Sequence, residues 1–282
     1  MSRLDLHLHT THSDGSLPPA EVLALAQKAA VSALAITDHD IVSGLPEAFE
    51  AGARLGIEVI PGIEISSRYE ETELHILGYY LDWKDPVLNR RLETVRAGRG
   101  VRNPMIVQRL NDLGLALTYE EVRALAGTES VGRPHIARVL MAKGYVQSAK
   151  EAFDRYLAEG RPAHVARDLP EPAEAISWIT EAGGIAVLAH PTWIRKSREG
   201  LETLCAQLKG AGLTGLEVHY STHNPRQTAD YLEIARRLDL LVTGGSDFHG
   251  VTKPDIEVGT GRGGLKVPAK LLEPLKKAAG RA

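Results

Sequence analysis

The chain alternates between short apolar runs of strand period and longer stretches of helical period. In residues 3–9, Leu4, Leu6 and Leu8 face one way and Asp5, His7 and His9 the other, a repeat of two. A helix is predicted over 18–30, opened by Pro18 and Pro19. A buried strand follows at 33–37, then a helix over 44–55 stopped by Gly56. Further strands are predicted at 58–60, 74–80, 185–189, 216–219 and 240–243, with helices over 201–209 and 227–238 between the last three. A helix over 268–279 ends the chain. This alternation predicts an α/β fold with a mostly parallel sheet. Between residues 83 and 164 the strand signal disappears. Helical period recurs at 89–113, 120–126, 134–143 and 151–158. The expected organisation is a body formed by 1–82 and 165–282, interrupted by a helical insertion at 83–164, with Pro86 and Pro162 at its junctions.

Composition narrows the class. A length of 282 residues fits one large domain or one domain with an insertion. With 43% apolar and 24% charged residues, the chain cannot be wholly disordered. No apolar run approaches the length of a membrane span, and the polar start leaves no room for a signal-peptide core, so a cytoplasmic protein is expected. The single cysteine excludes an internal disulfide and thiolate metal clusters. Cys205 lies in a helical pattern and reads as a buried core thiol. The net charge is −3, unevenly spread. Residues 83–164 carry 14 Lys+Arg and 9 Asp+Glu, a net of +5, and the remainder a net of −8. A basic segment interrupting an acidic body suits an anion-collecting lid over a cation-collecting site.

The candidate chemistry sits at strand ends. His7 and His9 end the first strand and Asp14 follows; Thr37-Asp-His-Asp40 ends the second; Glu64 follows the third; the fourth contains His75. His190, His219 and Gly245-Ser-Asp-Phe-His249 end the later strands. In a barrel of parallel strands such ends meet on one face. A His-x-His pair on a strand places two imidazoles about 7 Å apart on one side, near enough to share a metal; Asp247-x-His249 repeats the pattern. So many buried imidazoles and carboxylates without a metal would leave many polar groups unsatisfied. Ligation without sulfur suits Mn, Fe or Zn.

Asp5-Leu-His-Leu-His-Thr-x-x-Ser-Asp-Gly, Ile36-Thr-Asp-His-Asp, Pro61-Gly-Ile-Glu, Ala189-His-Pro and Gly245-Ser-Asp-Phe-His together resemble the PHP (polymerase and histidinol phosphatase) phosphoesterases. The resemblance implies a distorted seven-stranded barrel with a trinuclear centre of two to three divalent transition metals, manganese favoured. Carried over by motif, one metal takes His7, His9, Glu64 and Asp247. A second takes Glu64, His75 and His190, with Glu64 bridging. A third takes Asp14, His39 and His249; some members have histidine where Asp14 stands, and His12 is nearby. Metals bridged by a carboxylate sit about 3.5–4 Å apart and share a hydroxide that attacks phosphorus in line. Glu64 and Asp247 would thus be catalytic as well as ligating.

Other residues support that chemistry. Asp38 and Asp40 could orient ligand imidazoles or serve as turn residues. Ser13 and Ser246 read as turn or capping residues. His219 and His223 could protonate the leaving alkoxide or hold phosphate. Within the insertion, Gly132-Arg-Pro-His places Arg133 beside a helix N-terminus, where Arg133 and His135 could clamp a phosphate. Arg90, Arg91, Arg96, Arg99, Arg102 and Arg109 lie in one helical stretch and favour a polyanion. Tyr69, Trp193, Tyr220 and Phe248 are candidate base-stacking residues.

A barrel with this insertion is similar to the subgroup of nucleoside 3′,5′-bisphosphate phosphatases and 5′-to-3′ exoribonucleases. That implies a nucleotide bisphosphate or short RNA substrate, with no membrane and no obligate protein partner. A histidinol phosphate phosphatase would not need the basic segment. An amidohydrolase barrel generally lacks the cluster of Asp14, His39 and His249. A non-enzymatic nucleic-acid-binding module would not need all nine ligand positions filled.

Overall fold

The computed structural model describes residues 3–70, 72–128 and 130–281. Seven strands form one sheet in chain order: β1 (Arg3–Leu8), β2 (Val31–Ile36), β3 (Glu58–Tyr69), β4 (Thr72–Tyr79), β5 (Ile185–Leu188), β6 (Gly215–Tyr220) and β7 (Leu241–Gly245). The sheet curls until β7 meets β1. Phe248 O accepts the His9 amide at 3.0 Å, and the Asp247 amide donates to His7 O at 2.8 Å. The approach needs glycine: a Cβ on Gly245 would lie 2.4 Å from the His7 backbone nitrogen. The result is a nearly closed α/β barrel.

The sheet is parallel except around β4, which runs against both β3 and β5. β3 is also far longer than the three residues expected. It continues through Pro61 and Glu64 to Tyr69, so Glu64 lies within a strand rather than after one. Its extension pairs residue for residue with β4, from Gly62 against Tyr79 to Tyr69 against Thr72. His75 therefore reaches the site from the first half of a reversed strand, not from a C-terminal end.

Helices α1 (Pro19–Lys28), α2 (Leu45–Leu55), α7 (Pro172–Glu181), α8 (Arg198–Gly210) and α9 (Pro225–Arg237) pack against the barrel. Val22 and Leu23 of α1, Ile176 and Ile179 of α7, and Leu204 and Cys205 of α8 are fully buried there. Helix α7 was missed by the sequence reading, although Pro172 and the capping Glu171–Glu174 pair mark its start. A separate inner cluster holds Leu6, Ala35, Ile60, Leu77 and Val187, and Leu275 of α10 (Leu272–Ala278) joins it.

From the end of β4 the chain enters α3 (Pro86–Asp112), then α4 (Tyr119–Ala126), α5 (Arg133–Ala142) and α6 (Ala149–Ala152), which runs into a π turn at Phe153–Leu157. Leu88 and Leu92 of α3 belong to the barrel's core. Ile106, Val107 and Leu110, further along the same helix, share a second core with Val122, Ile136, Leu140 and Leu157. Among the described residues no helix is long and apolar enough to cross a membrane.

Candidate metal centre

Glu64 is the hub of the polar end of the barrel. It is 1% exposed. Its Oε1 lies 2.9 Å from both His75 Nδ1 and His190 Nε2. Its Oε2 lies 3.3, 3.2 and 3.1 Å from His7 Nε2, His9 Nε2 and His39 Nδ1. The two oxygens thus face separate sets of imidazoles, as a bridging carboxylate would. Asp247 Oδ1 lies 3.5 Å from His7 Nε2 and 3.3 Å from both His9 Nε2 and His249 Nδ1. Asp14 Oδ1 lies 3.3 Å from His249 Nε2. His12 is elsewhere, its Nδ1 2.7 Å from the Ser43 hydroxyl.

All nine expected ligand positions converge. Their nitrogens and oxygens form overlapping groups within 4.8 Å: His9, Asp14, His39 and His249; His7, Glu64 and His190; His7, His9 and Asp247; His39, Glu64 and His75. Sharing His7, His9 and His39 between groups makes the cluster more continuous than three separate ligand sets. The backbone bends to achieve it: Asp247 and His190 have φ of 57° and 24°, a region costly for non-glycine residues.

The donor set fits divalent metals. His7 Nε2, His9 Nε2 and His39 Nδ1 are buried without a hydrogen-bond partner, and all three point at carboxylate oxygens. Burial opposes charge on His7, but Glu217, Glu64 and Asp247 outweigh it and hold its pKa well above the usual imidazole value. Burial alone would also lower His9, yet Asp247 and Glu64 push it up to about 9. Burial takes His39 down to about 3 despite Glu64 and Asp14. Burial would raise Glu64, but His39, His75 and His7 hold it well below the usual carboxylate range. Neighbouring imidazoles are thus shifted in opposite directions. A cation would replace the protons the cluster otherwise needs.

Sequence reasoning missed the support of this cluster. Glu217 is fully buried on β6; it accepts His7 Nδ1–H at 2.9 Å and the His190 amide at 2.7 Å. It fixes which His7 nitrogen faces the cluster. Asp247 Oδ2 accepts from the Tyr220 hydroxyl at 2.6 Å and from Lys253 Nζ at 2.5 Å. Asp5 accepts from the Ser246 and Gly259 amides at 2.8 and 2.7 Å and so ties β1 to the segment after β7. Glu217 is two residues before His219, and a regular strand would put both on one face. A bulge between them shifts the register, so that Glu217 and Tyr220 are the residues of β6 that meet the cluster.

Several other positions differ from expectation. The cleft over the cluster, about 210 Å³, is walled by Glu73, His75, His190, Trp193, Tyr220, Lys253 and neighbouring ligands. His219, His223 and His135 lie outside that wall. His223 sits behind Tyr220, its Nδ1–H donating to Val218 O at 2.8 Å. His135 is buried and accepts the Gly132 amide at 3.0 Å, closing the first turn of α5 rather than facing an anion. Asp38 and Asp40 touch no ligand imidazole through their side chains. Asp38 binds the Thr10 amide and hydroxyl and the Ser13 hydroxyl, bracing the loop after β1. Asp40 accepts from the Ser66 amide and hydroxyl and, at 2.5 Å, from Arg99. Of the stacking candidates, Phe248 is buried in the core and the Tyr220 hydroxyl is committed to Asp247. Trp193 is 57% exposed on the cleft wall.

A second polar cluster adjoins the cleft. Arg133 Nη2 lies 2.6 Å from Glu73 Oε2, and Arg102 Nη1 3.6 Å from Glu73 Oε1. Arg167 lies 3.9 Å from Glu73 and 3.5 Å from Asp40. Four guanidiniums, from α3, α5 and the segment before α7, face two carboxylates. Arg99 Nε, Arg167 Nε and Arg167 Nη1 are buried without a hydrogen-bond partner. Burial, then Arg133, Arg167 and Arg99, lower the Arg102 pKa to about 8. Arg167 and Glu73 were not in the expected set. The other arginines of α3 differ: Arg96 donates to Asp40 O, Arg91 pairs with Glu181, and Arg90 and Arg109 are exposed.

A barrel with this imidazole–carboxylate end defines a metal-dependent phosphoesterase, and comparison with known proteins agrees. A family model described as PHP domain matches residues 5–169. A 3′,5′-nucleoside bisphosphate phosphatase from Chromobacterium violaceum is 35% identical over 92% of this chain and 91% of its own. A 5′-3′ exoribonuclease from Haemophilus influenzae is 36% identical over 88% of this chain and 90% of its own. A candidate metal-dependent phosphoesterase from Bifidobacterium adolescentis superposes with a TM-score of 0.86 at 31% identity, over 98% of this chain and 96% of that one. The chain belongs to the PHP domain family. His190, Asp247 and His249 lie beyond the matched residues, within the span shared with the full-length relatives.

Proposed function

We propose that the protein hydrolyses the 3′-phosphate ester of a nucleotide that also carries a 5′-phosphate, with nucleoside 3′,5′-bisphosphates, cut at the 3′ monoester, and short 5′-phosphorylated RNA, cut at its first internucleotide diester, as the substrate classes. One observation carries the reading: a cluster of four arginines with only two carboxylates opens through Glu73 onto the cleft that holds the ligand cluster. Its excess of two positive charges equals the charge of one phosphate monoester near neutral pH. A singly phosphorylated substrate would leave it unused. The named activities of the two relatives agree.

His7, His9, Glu64 and Asp247, then His75 and His190, then Asp14, His39 and His249 would hold two to three divalent metals. Bound metals supply Lewis acidity at the phosphoryl oxygens and an activated water at neutral pH. Glu217 holds His7 in the tautomer that presents Nε2. Tyr220 and Lys253 hold the outer oxygen of Asp247 and so orient its inner one. The arginines bind the phosphate that is not hydrolysed and set the distance at which the other enters. Trp193 offers its exposed face to a base. The helical segment 83–164 acts as the lid that carries Arg99, Arg102 and Arg133.

The test is a panel of 3′-phosphoadenosine 5′-phosphate, 5′-phosphorylated RNA, a 2′,3′-cyclic nucleotide and histidinol phosphate, each with Mn, Zn and Fe(II). The first two should lead by at least about tenfold in kcat/KM, the size of one charge-assisted contact. Equal or faster turnover of histidinol phosphate would overturn the reading.

A further inference from the structure

The two carboxylates among the arginines are held differently. Asp40 is fully buried, and its carboxylate has four partners, the Ser66 amide and hydroxyl, Arg99 and, at 3.5 Å, Arg167. Among the described residues Glu73 has arginine partners alone and no backbone amide holds it, and it lines the cleft with 21% of its side chain exposed. It is two residues before His75 on β4, so both side chains leave the same face of the strand. A carboxylate at 2.6 Å from a guanidinium occupies the place a phosphate oxygen would take.

We propose that Glu73 is an internal competitor for the arginine site, which an incoming phosphate must displace. The inference rests on the reading that the arginines hold the second phosphate. Asp40 keeps Arg99 and Arg167 in place throughout, while Arg133 and Arg102 exchange Glu73 for the ligand. Such competition weakens substrate and product equally. Its effect is to release a product that still carries the anchored phosphate, the step that tight arginine binding would otherwise slow. Glu73 is therefore a residue that sets affinity, acting through the arginines rather than on the reacting atoms.

The test is calorimetric binding of adenosine 5′-monophosphate to the Mn-loaded full chain, with metal content checked in each variant. Glu73→Gln should tighten binding about tenfold or more, the exchange of one charge-assisted contact. It should also increase the rise in Tm that the nucleotide produces. In an Arg133→Ala background the gain should shrink to about threefold or less, because the contact Glu73 competes for is gone. Unchanged or weaker binding by a folded Glu73→Gln variant would mean that Glu73 organises the arginines, and the proposal falls alone. Binding that ignores both Arg133→Ala and Arg102→Ala would remove the anchor reading, and the proposal with it. Should Glu73→Gln not fold, Glu73→Asp keeps the charge and withdraws it by one methylene. A few-fold tightening is then expected, and none would overturn the proposal.

Discussion

The ligand cluster and the arginine cluster share a cleft and are built on opposite plans. The first draws its side chains from the barrel's own strands and the loops that follow them, and Glu64 touches five imidazoles. The second gathers residues from α3, α5, β4, the loop after β2 and the segment before α7. One has more buried acceptors and imidazoles than its protons can serve; the other has more guanidiniums than carboxylates. The strand-built end fixes what chemistry is done. On the proposed reading, the helix-built end decides which molecule receives it. Losses at the first should therefore fall on every substrate, and losses at the second on some.

Glu64→Gln should show the largest effect. Removing the charge that faces both imidazole sets should cut kcat/KM on every phosphoester by about 10²–10³-fold, as for removal of a key electrostatic group. Steady-state kinetics with metal analysis checks this. A variant that retains its metals and a tenth of the rate would separate Glu64 from the hub role. Arg133→Ala should divide the substrates. Loss of a charge-assisted pair, worth roughly 1.5–3 kcal/mol, predicts about a 10- to 150-fold drop for a nucleoside 3′,5′-bisphosphate. p-Nitrophenyl phosphate should lose less than about threefold, because it makes no second contact. Equal losses on both would erase the contrast between the clusters.

Glu217→Gln sharpens the comparison from the other side. It weakens the partner that orients His7, and metal affinity should fall about 10–100-fold, with turnover restored by excess metal. Competition against a chelating dye measures it; unchanged affinity would leave Glu217 as a packing residue. The smallest effect is expected at Cys205. It is fully buried on α8, and burial with nearby Glu202 pushes its thiol up to about 12. The native enzyme should resist thiol reagents and keep its activity; rapid labelling of the folded protein would contradict the burial.

The same contrast explains what could be read from the sequence. A strand returns a side chain to the same face every second residue. His7 with His9 and Asp247 with His249 therefore announce themselves, and strand ends converge by topology. Glu217 and His219 mark the limit of that rule, because the bulge between them is a backbone event that side-chain types do not encode. Glu64 was expected after the third strand and lies inside it, since Pro61 and Gly62 are residues that more often end a strand than continue one. The arginine cluster had no period to betray it. Arg133 was found from its helix start, whereas Arg167 and Glu73 are single charges whose neighbours come from distant elements. Helix α7 was passed over between stronger strand signals.

The reversal of β4 has a mechanical consequence. Because this strand runs backwards, the chain leaves it at Tyr79, opposite Ile185 at the start of β5 rather than at the strand ends that carry the ligands. It returns through α3, whose 27 residues span about 40 Å at 1.5 Å per residue. The foot of this helix, Leu88 and Leu92, is set in the barrel's core. Its middle carries Arg99 and Arg102, and its far end supports the second core. One helix thus runs from the barrel's core past Arg99 and Arg102 to the second core, with Pro104 interrupting its hydrogen bonds beyond the arginines. The separation of Arg99 and Arg102 from the ligands is fixed by a helix rooted in the barrel, not by a loop. A change of side-chain volume at Leu88 or Leu92 would tilt that helix, and the longest lever in the molecule would carry the error to the arginines.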